Sequence, residues 1–390
     1  MPWKESVIMD ERMKFVGRLL GGEKMAALCR EFGITRRTGY KFYNRYKEVG
    51  LHGLTDRARR PKRYANQLPM QVEKEILRIK RKKHSWGAPK IREILKRKFP
   101  EVKTPAKSTI HCILDRHGLV KRRKRRKFKA EGTSLLGTEK PNDLWCADYR
   151  GEFMLASRRY CYPLTITDYA SRYLLTCEAL ENNCELYAFH VFERAFKEYG
   201  LPKTIRTDNG VPFSSVHALF GLSKLSVWWL RLGISIERIK PGHPEQNGRH
   251  ERMHLTLKKE ATKPPGENLL QQQETFDRFM EEFNTERPHQ ALDMQWPGER
   301  YGLSERPYRG IQNVSYPFHD RTVTVTDCGR ICMRGKKINL SRVFAGQDVG
   351  VKEVSDKIWL VTFMDYDLGC FDEETRKLEP LAYPFTPEIV

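Results

Sequence analysis

Long apolar runs are missing: no stretch approaches the roughly 18 consecutive apolar residues that span a bilayer. No membrane partner is therefore expected. The segment Met1 to Asp10 is short and mixed, without an apolar stretch behind basic residues, so the protein is expected to stay in the compartment where it is made. Paired cysteines are missing as well. Nine Cys are scattered with no CxxC spacing and an odd total, which fits reduced thiols in the cytosol better than a disulfide framework. Cys328 and Cys332 are the only close pair; they lack His or Cys companions at ligand spacing and read as hairpin residues, so no structural zinc is expected. The third shortfall is negative charge. Against 71 Lys+Arg stand 49 Asp+Glu, a net charge of +22, which draws a polyanion and makes nucleic acid the leading partner. Ribosomal and membrane-surface proteins share such an excess, so charge alone does not choose among them.

What is present divides the chain. At 390 residues two to four domains are expected, and 39% hydrophobic residues with seven Trp allow real cores. Asp10 to Gly50 reads as three short helices, with Phe15, Val16, Leu19, Met25, Leu28, Cys29, Phe32, Tyr40, Phe42, Tyr43 and Tyr46 at helical spacing. Phe32-Gly33-Ile34-Thr35 has the form of the turn in a helix-turn-helix: Gly relieves the bend and Thr35 can cap the next helix. That helix carries Arg36, Arg37, Lys41 and Arg45 where a recognition helix meets the major groove. The alternative is a small helical bundle with a solvated basic face. The domain spans 1–53 and is followed by a basic linker, 54–69, whose Arg57, Arg59 and Arg60 suit phosphates or a minor groove. A second helix-turn-helix-like domain is expected over 70–120, with helices near Val72–Lys82, Ala88–Lys98 and Ser108–Arg116 and a core of Trp86, Ile91, Ile94, Leu95, Ile110, Ile113 and Leu114. Another basic linker, 121–140, opens with Lys121, Arg122, Arg123, Arg125 and Arg126 in a run suited to phosphate contact.

From Asp143 the pattern alternates between strand and helix signals, the mark of an α/β domain, here 141–300. A linker, 301–317, leads to β-rich sequence over 318–375 that suggests a small antiparallel barrel of about five strands, and a tail, 376–390, ends the chain. The expected architecture is multidomain: N-terminal all-α helix-turn-helix units, a central α/β core and a C-terminal small β-barrel.

Cutting a phosphodiester with metal ions needs hard oxygen ligands on both sides of one phosphate. Asp148 is a charged residue inside the apolar run Leu144-Trp145-Cys146-Ala147, costly to bury without a cation or hydrogen-bonded partner. Asp208 ends the strand Thr204 to Thr207 and begins Asp-Asn-Gly, at the carboxyl end where active sites of open α/β sheets collect. As the first residue of a turn, it also has a purely structural reading.

The run Lys240-Pro241-Gly242-His243-Pro244-Glu245-Gln246-Asn247-Gly248-Arg249-His250-Glu251-Arg252 resembles the segment that carries the catalytic glutamate in transposases and retroviral integrases. Together with Trp145-Cys-Ala-Asp148, Thr165-Ile-Thr-Asp168-Tyr-Ala-Ser-Arg172, Thr207-Asp208-Asn-Gly210 and Asn284-Thr-Glu-Arg287-Pro-His289, it is similar to the acidic-triad insertion-sequence transposases of bacteria with N-terminal helix-turn-helix domains. The resemblance implies an RNase H-like core in which Asp148, Asp208 and Glu251 bind two Mg²⁺ or Mn²⁺ ions. It also implies that element ends are cleaved to free 3′-hydroxyls and joined to target DNA, with a dimer or tetramer forming on that DNA. The implied location is the bacterial cytoplasm, at the nucleoid.

Glu245 lies 37 residues after Asp208, close to the roughly thirty-five-residue gap common in integrases. The pattern Pro-x-x-x-Gly-x-x-Glu ends instead at Glu251, with Leu255 and Lys258 on the same helical face, so Glu251 is preferred and Lys258 is placed against phosphate. Asn209, His243, Asn247 and His250 are possible supporting residues; the histidines could steer phosphate or water, or stand as exposed loop rings. Asp168 reads as structural, paired with Arg172, and Trp228 and Trp229 read as core rather than as base-stacking residues. Two rivals remain: a DNA-binding regulator with an inactive core, and an RNase H-like nuclease without strand transfer.

Overall fold

The computed structural model describes residues 8–56, 68–120, 137–215, 218–240 and 242–381. It splits into two compact units, one ending at Pro69 and one beginning at Met70. Arg57, Arg59 and Arg60, and Lys121, Arg122, Arg123, Arg125 and Arg126, expected to touch phosphates, lie outside the described residues.

In the first unit, α1 (Ile8–Leu20), α2 (Met25–Glu31) and α3 (Arg36–Val49) enclose Phe15, Val16, Leu28, Cys29 and Leu54. The Thr35 side chain accepts from the Thr38 amide at 3.2 Å and starts α3 as expected. Gly39 sits inside α3 because α2 comes very close: a Cβ there would meet Cys29 Sγ at 2.7 Å and Met25 Sδ at 2.9 Å. Arg36, Arg37 and Lys41 are exposed and Arg45 is half-buried. Tyr40, one of the residues read at helical spacing, is 52% exposed, because its place on α3 shares the outward face with the basic residues.

The second unit opens with α4 (Met70–Lys82), α5 (Ala88–Lys98) and α6 (Lys107–Arg116), packed around Trp86, Ile91, Leu95, Ile110, Ile113 and Leu114, with Ile94 half-buried. These helices are fastened to the rest of that unit by polar contacts. Lys83 meets Glu282 at 2.5 Å, Arg97 meets Glu299 at 2.6 Å and stacks over Trp296, and Ser85 donates to Glu260.

Next come β1 (Leu144–Tyr149), β2 (Phe153–Met154), β3 (Tyr160–Asp168), β4 (Leu174–Leu180), α7 (Glu185–Tyr199), β5 (Thr204–Thr207), α8 (Lys224–Arg231), β6 (Ser235–Arg238), α9 (Gly248–Glu260), α10 (Leu269–Thr285) and α11 (Pro297–Arg300). The sheet is mixed: β4, β3 and β1 run antiparallel to their neighbours, whereas β5 lies parallel to β1 and β6 parallel to β5. Four successive residues of β1, Leu144 to Ala147, are buried, the signature of a central strand covered on both faces. On α7, Ala188, Val191, Phe192, Ala195 and Phe196 repeat at helical spacing and join the core with Trp145. Trp229 is fully buried and Trp228 packs against the same core, as expected. At the end of α10, Asn284 both accepts from the Leu174 amide and donates to the Leu174 carbonyl, pinning the helix to β4.

The C-terminal strands are β7 (Arg321–Thr324), β8 (Arg330–Met333), β9 (Lys336–Asn339), β10 (Asp348–Ser355), β11 (Ile358–Phe363), β12 (Tyr366–Asp372) and β13 (Leu378–Pro380). The expectation of a closed barrel is corrected. Five strands form an open sheet in the order β13-β12-β11-β10-β7, and β8-β9 is a separate hairpin. Closure is not needed to hide the apolar face. Val349, Val361, Phe363 and Phe371 share one core with Ile331 and Ile338 of the hairpin and with Trp229 and Ile236 of the preceding sheet. Cys328 and Cys332 are exposed free thiols beside this hairpin.

Candidate active site

The polar cluster grows from three elements that the fold brings together. Strand β1 carries Asp148, which pairs in register with Thr165 on β3. Strand β5 pairs Arg206 with Cys146 of β1 in parallel, and the same register continued by two residues sets Asp208 beside Asp148. Helix α9 presents Glu251 in its first turn.

Electrostatics records their proximity. Burial, then the charges of Asp208 and Glu251, push the Asp148 carboxyl up to about 8. Its side chain is 14% exposed. Burial also raises Asp208, whose Oδ1 accepts from the Gly210 amide at 3.1 Å. Glu251 is exposed. Among the described residues none of the three carboxylates is ion-paired with Lys or Arg. Arg150 lies within electrostatic reach of Glu251 and of His254. Oxygen donors gathered so closely that two of them add their charge to the upward push on Asp148 fit a divalent cation, which would relieve the repulsion.

Behind Asp148 stands a layer that sequence reasoning saw only in part. His250 and His254, one turn apart on α9, are 1% and 5% exposed and pack edge to face at 4.5 Å. Their Nε2 atoms converge on the Thr165 hydroxyl at 2.8 and 2.7 Å, and His250 Nδ1 meets the Thr167 hydroxyl at 2.7 Å. Burial holds both imidazoles neutral, pushing His254 down to about 3. His250 was expected to steer phosphate or water or to stand exposed; that is corrected, because both its ring nitrogens are spent on threonines inside the fold. The signal for this layer was present: histidines at i and i+4 share a helix face, and Thr165 and Thr167 share a strand face.

The remaining expected residues fall around this centre. Asn209 is exposed and donates to the Ile239 carbonyl at 2.7 Å. Asn247 is 3% exposed and precedes α9, with its Oδ1 buried without a hydrogen bond. His243 is 48% exposed and bonded to Glu245 at 2.7 Å, so Glu245 is engaged locally, while the charge felt by Asp148 is that of Glu251. Lys258 is exposed in the last turn of α9. Asp168 is structural, but not through Arg172: it accepts from the amides of Asn142 and Ser171 and from the Ser171 hydroxyl.

The loop between β6 and α9 is tied to β5 by a group the sequence did not announce. Arg206, 1% exposed, bonds Glu237 on β6 at 2.6 Å and reaches the Gln246 carbonyl at 3.3 Å. Gln246 in turn accepts from the Lys240 amide at 2.7 Å. The approach to Glu251 is thus anchored to the strand that carries Asp208.

Known proteins share these segments. Two family models described as Integrase core domain match residues 138–244 and 232–297. A Helix-turn-helix domain model matches residues 11–62, and a Homeodomain-like domain model matches residues 38–114. The chain is 26% identical over 181 residues to an uncharacterized 31.7 kDa protein of insertion element IS407 from Burkholderia multivorans, covering 46% of this chain and 62% of that protein. It is 24% identical over 276 residues to an uncharacterized 39.2 kDa protein of insertion element IS476 from Xanthomonas euvesicatoria, covering 70% of this chain and 76% of that one. Among solved structures, the HTLV-2 integrase catalytic core domain in complex with magnesium aligns over 42% of this chain and 98% of its own, at 16% identity and a TM-score of 0.33. The chain therefore carries helix-turn-helix domains followed by an integrase core, and its relatives in sequence are insertion-element proteins.

Proposed function

We propose that the protein is a DNA transposase that binds the ends of an insertion sequence, hydrolyses them to free 3′-hydroxyls and joins these to target DNA. The observation that carries the reading is the coupling of Asp148 to both Asp208 and Glu251 inside an integrase core.

In this reading Asp148, Asp208 and Glu251 hold two Mg²⁺ or Mn²⁺ ions. When bound, the ions supply the Lewis acidity that activates the attacking oxygen and stabilises the leaving oxygen. Asp148 forms the rigid centre, because its strand is hydrogen-bonded on both sides. Glu251 closes the site from a helix whose entry is tethered through Arg206 and Gln246. Lys258, two turns further along α9, meets a phosphate of the bound duplex. Arg36, Arg37, Lys41 and Arg45 on α3 enter the major groove of an element end. Double-stranded DNA is the partner, and a dimer or tetramer brings two ends together. No described helix is long and apolar enough to cross a membrane, and the place of action in this reading is the bacterial cytoplasm, at the nucleoid.

Incubation of the protein with pre-cleaved oligonucleotide ends and Mg²⁺ tests the proposal. Joined products uphold it. Cleavage without joining indicates a nuclease, and a gel shift without either indicates a DNA-binding regulator; both results reject the transposase reading.

A further inference from the structure

The Thr165 hydroxyl has three neighbours and one proton. It sits 3.1 Å from the Asp148 carbonyl, 2.8 Å from His250 Nε2 and 2.7 Å from His254 Nε2. A carbonyl only accepts, so all three contacts are satisfied together only if Thr165 donates to it and both imidazoles donate to Thr165 through Nε2–H. Each neutral ring then has a bare Nδ1. For His250 that atom accepts from the Thr167 hydroxyl at 2.7 Å. For His254 it makes no hydrogen bond and faces Asp148 Oδ2 at 3.8 Å, lone pair toward carboxylate, in a side chain only 6% exposed. Two acceptors held face to face inside a protein need a proton or a cation between or beside them, and a bound cation meets that need while leaving Asp148 ionised. The ligand atoms of Asp148, His250 and His254 all lie within 4.8 Å of one another.

We infer that His254 is a fourth ligand of this site, offering Nδ1 to a cation held by Asp148, while Thr165, its own proton given to the Asp148 carbonyl, fixes the tautomer that makes this possible. The inference rests on the carboxylate reading above and adds to it a nitrogen donor. An imidazole that donates its other N–H to an oriented partner is the usual form of a metal-ligating histidine. Its consequence is selectivity: a mixed nitrogen and oxygen site favours first-row transition ions over Mg²⁺, which prefers oxygen alone.

The test uses the full chain loaded with Mn²⁺ and pulsed EPR, in which a coordinated imidazole nitrogen modulates the electron-spin echo. Nitrogen coupling is expected in the wild type and in His250→Gln, and is expected to vanish in His254→Gln. In the same proteins, followed by circular dichroism for folding, His254→Gln should weaken Co²⁺ binding about tenfold and Mg²⁺ binding less than about threefold. Mn²⁺ bound without nitrogen coupling, coupling that survives in His254→Gln, or equal losses of Co²⁺ and Mg²⁺ affinity overturn the inference and leave the carboxylate site standing. No Mn²⁺ binding at all overturns both.

Discussion

Arg206 and Glu237 face each other across the parallel strands β5 and β6, 2.6 Å from Nε to Oε2, with side chains 1% and 7% exposed. Removing one partner strands the other charge in the interior. Arg206→Ala should destabilise the second unit by about 3–5 kcal/mol, whereas exchanging both residues for Met or Leu should cost far less. Urea unfolding of the three proteins measures this. At temperatures where Arg206→Ala remains folded, strand joining should fall as well, because the tether to Gln246 is lost.

Asn284 replaces the missing strand neighbour of Leu174 with its own amide. Asn284→Ala leaves a buried backbone donor and acceptor unmade and should cost about 1–3 kcal/mol. Thermal unfolding should show the loss.

Lys90 is held down to about 7, chiefly by burial and then by the charge of Arg287. Between about 7 and 10.5 the unfolded chain binds this proton and the folded protein does not, so stability rises with pH across that window and is lost as pH falls toward 7. The change should be on the order of 2 kcal/mol once partial solvation is allowed for. Denaturant midpoints at pH 6.5 and 9 should differ in the wild type and converge in Lys90→Met; equal midpoints in the wild type contradict the assignment.

Divalent cations should stabilise the folded protein by linkage, about 2.7 kcal/mol at a hundredfold excess over Kd. Asp148→Asn should abolish the Mg²⁺-dependent thermal shift and all joining, while the metal-free variant stays as stable as the wild type, since a carboxyl whose charge burial already disfavours becomes a neutral amide. DNA binding should persist. A retained Mg²⁺ shift in Asp148→Asn would remove Asp148 from the ligand set.

Much of this was legible because local signals agreed with the fold. Strand β5 runs from Thr204 to Thr207 as expected, with the turn Asp208-Asn209-Gly210 directly after it. Asp148 stood out as a charge in an apolar strand. Residues whose partners are distant in sequence stayed hidden. Nothing local in the sequence pairs Arg206 with Glu237, and His254 gains meaning only when α9 crosses Thr165. The docking of α4 to α6 was invisible for the same reason: Lys83, Arg97 and Ser85 look solvated until Glu282, Glu299 and Glu260 meet them. The barrel expectation failed because strand count does not reveal which surface an apolar face will lie on.

The continuity between the C-terminal strands and the preceding sheet bears on how the chain can be divided. Phe344, Phe363 and Leu368 lie in one hydrophobic cluster with Trp229 and Ile236, and Arg231 reaches across to Gln347. A fragment trimmed just after α11 would bare greasy surface on both pieces and would tend to clump. Expression of the integrase core should therefore run through residue 381.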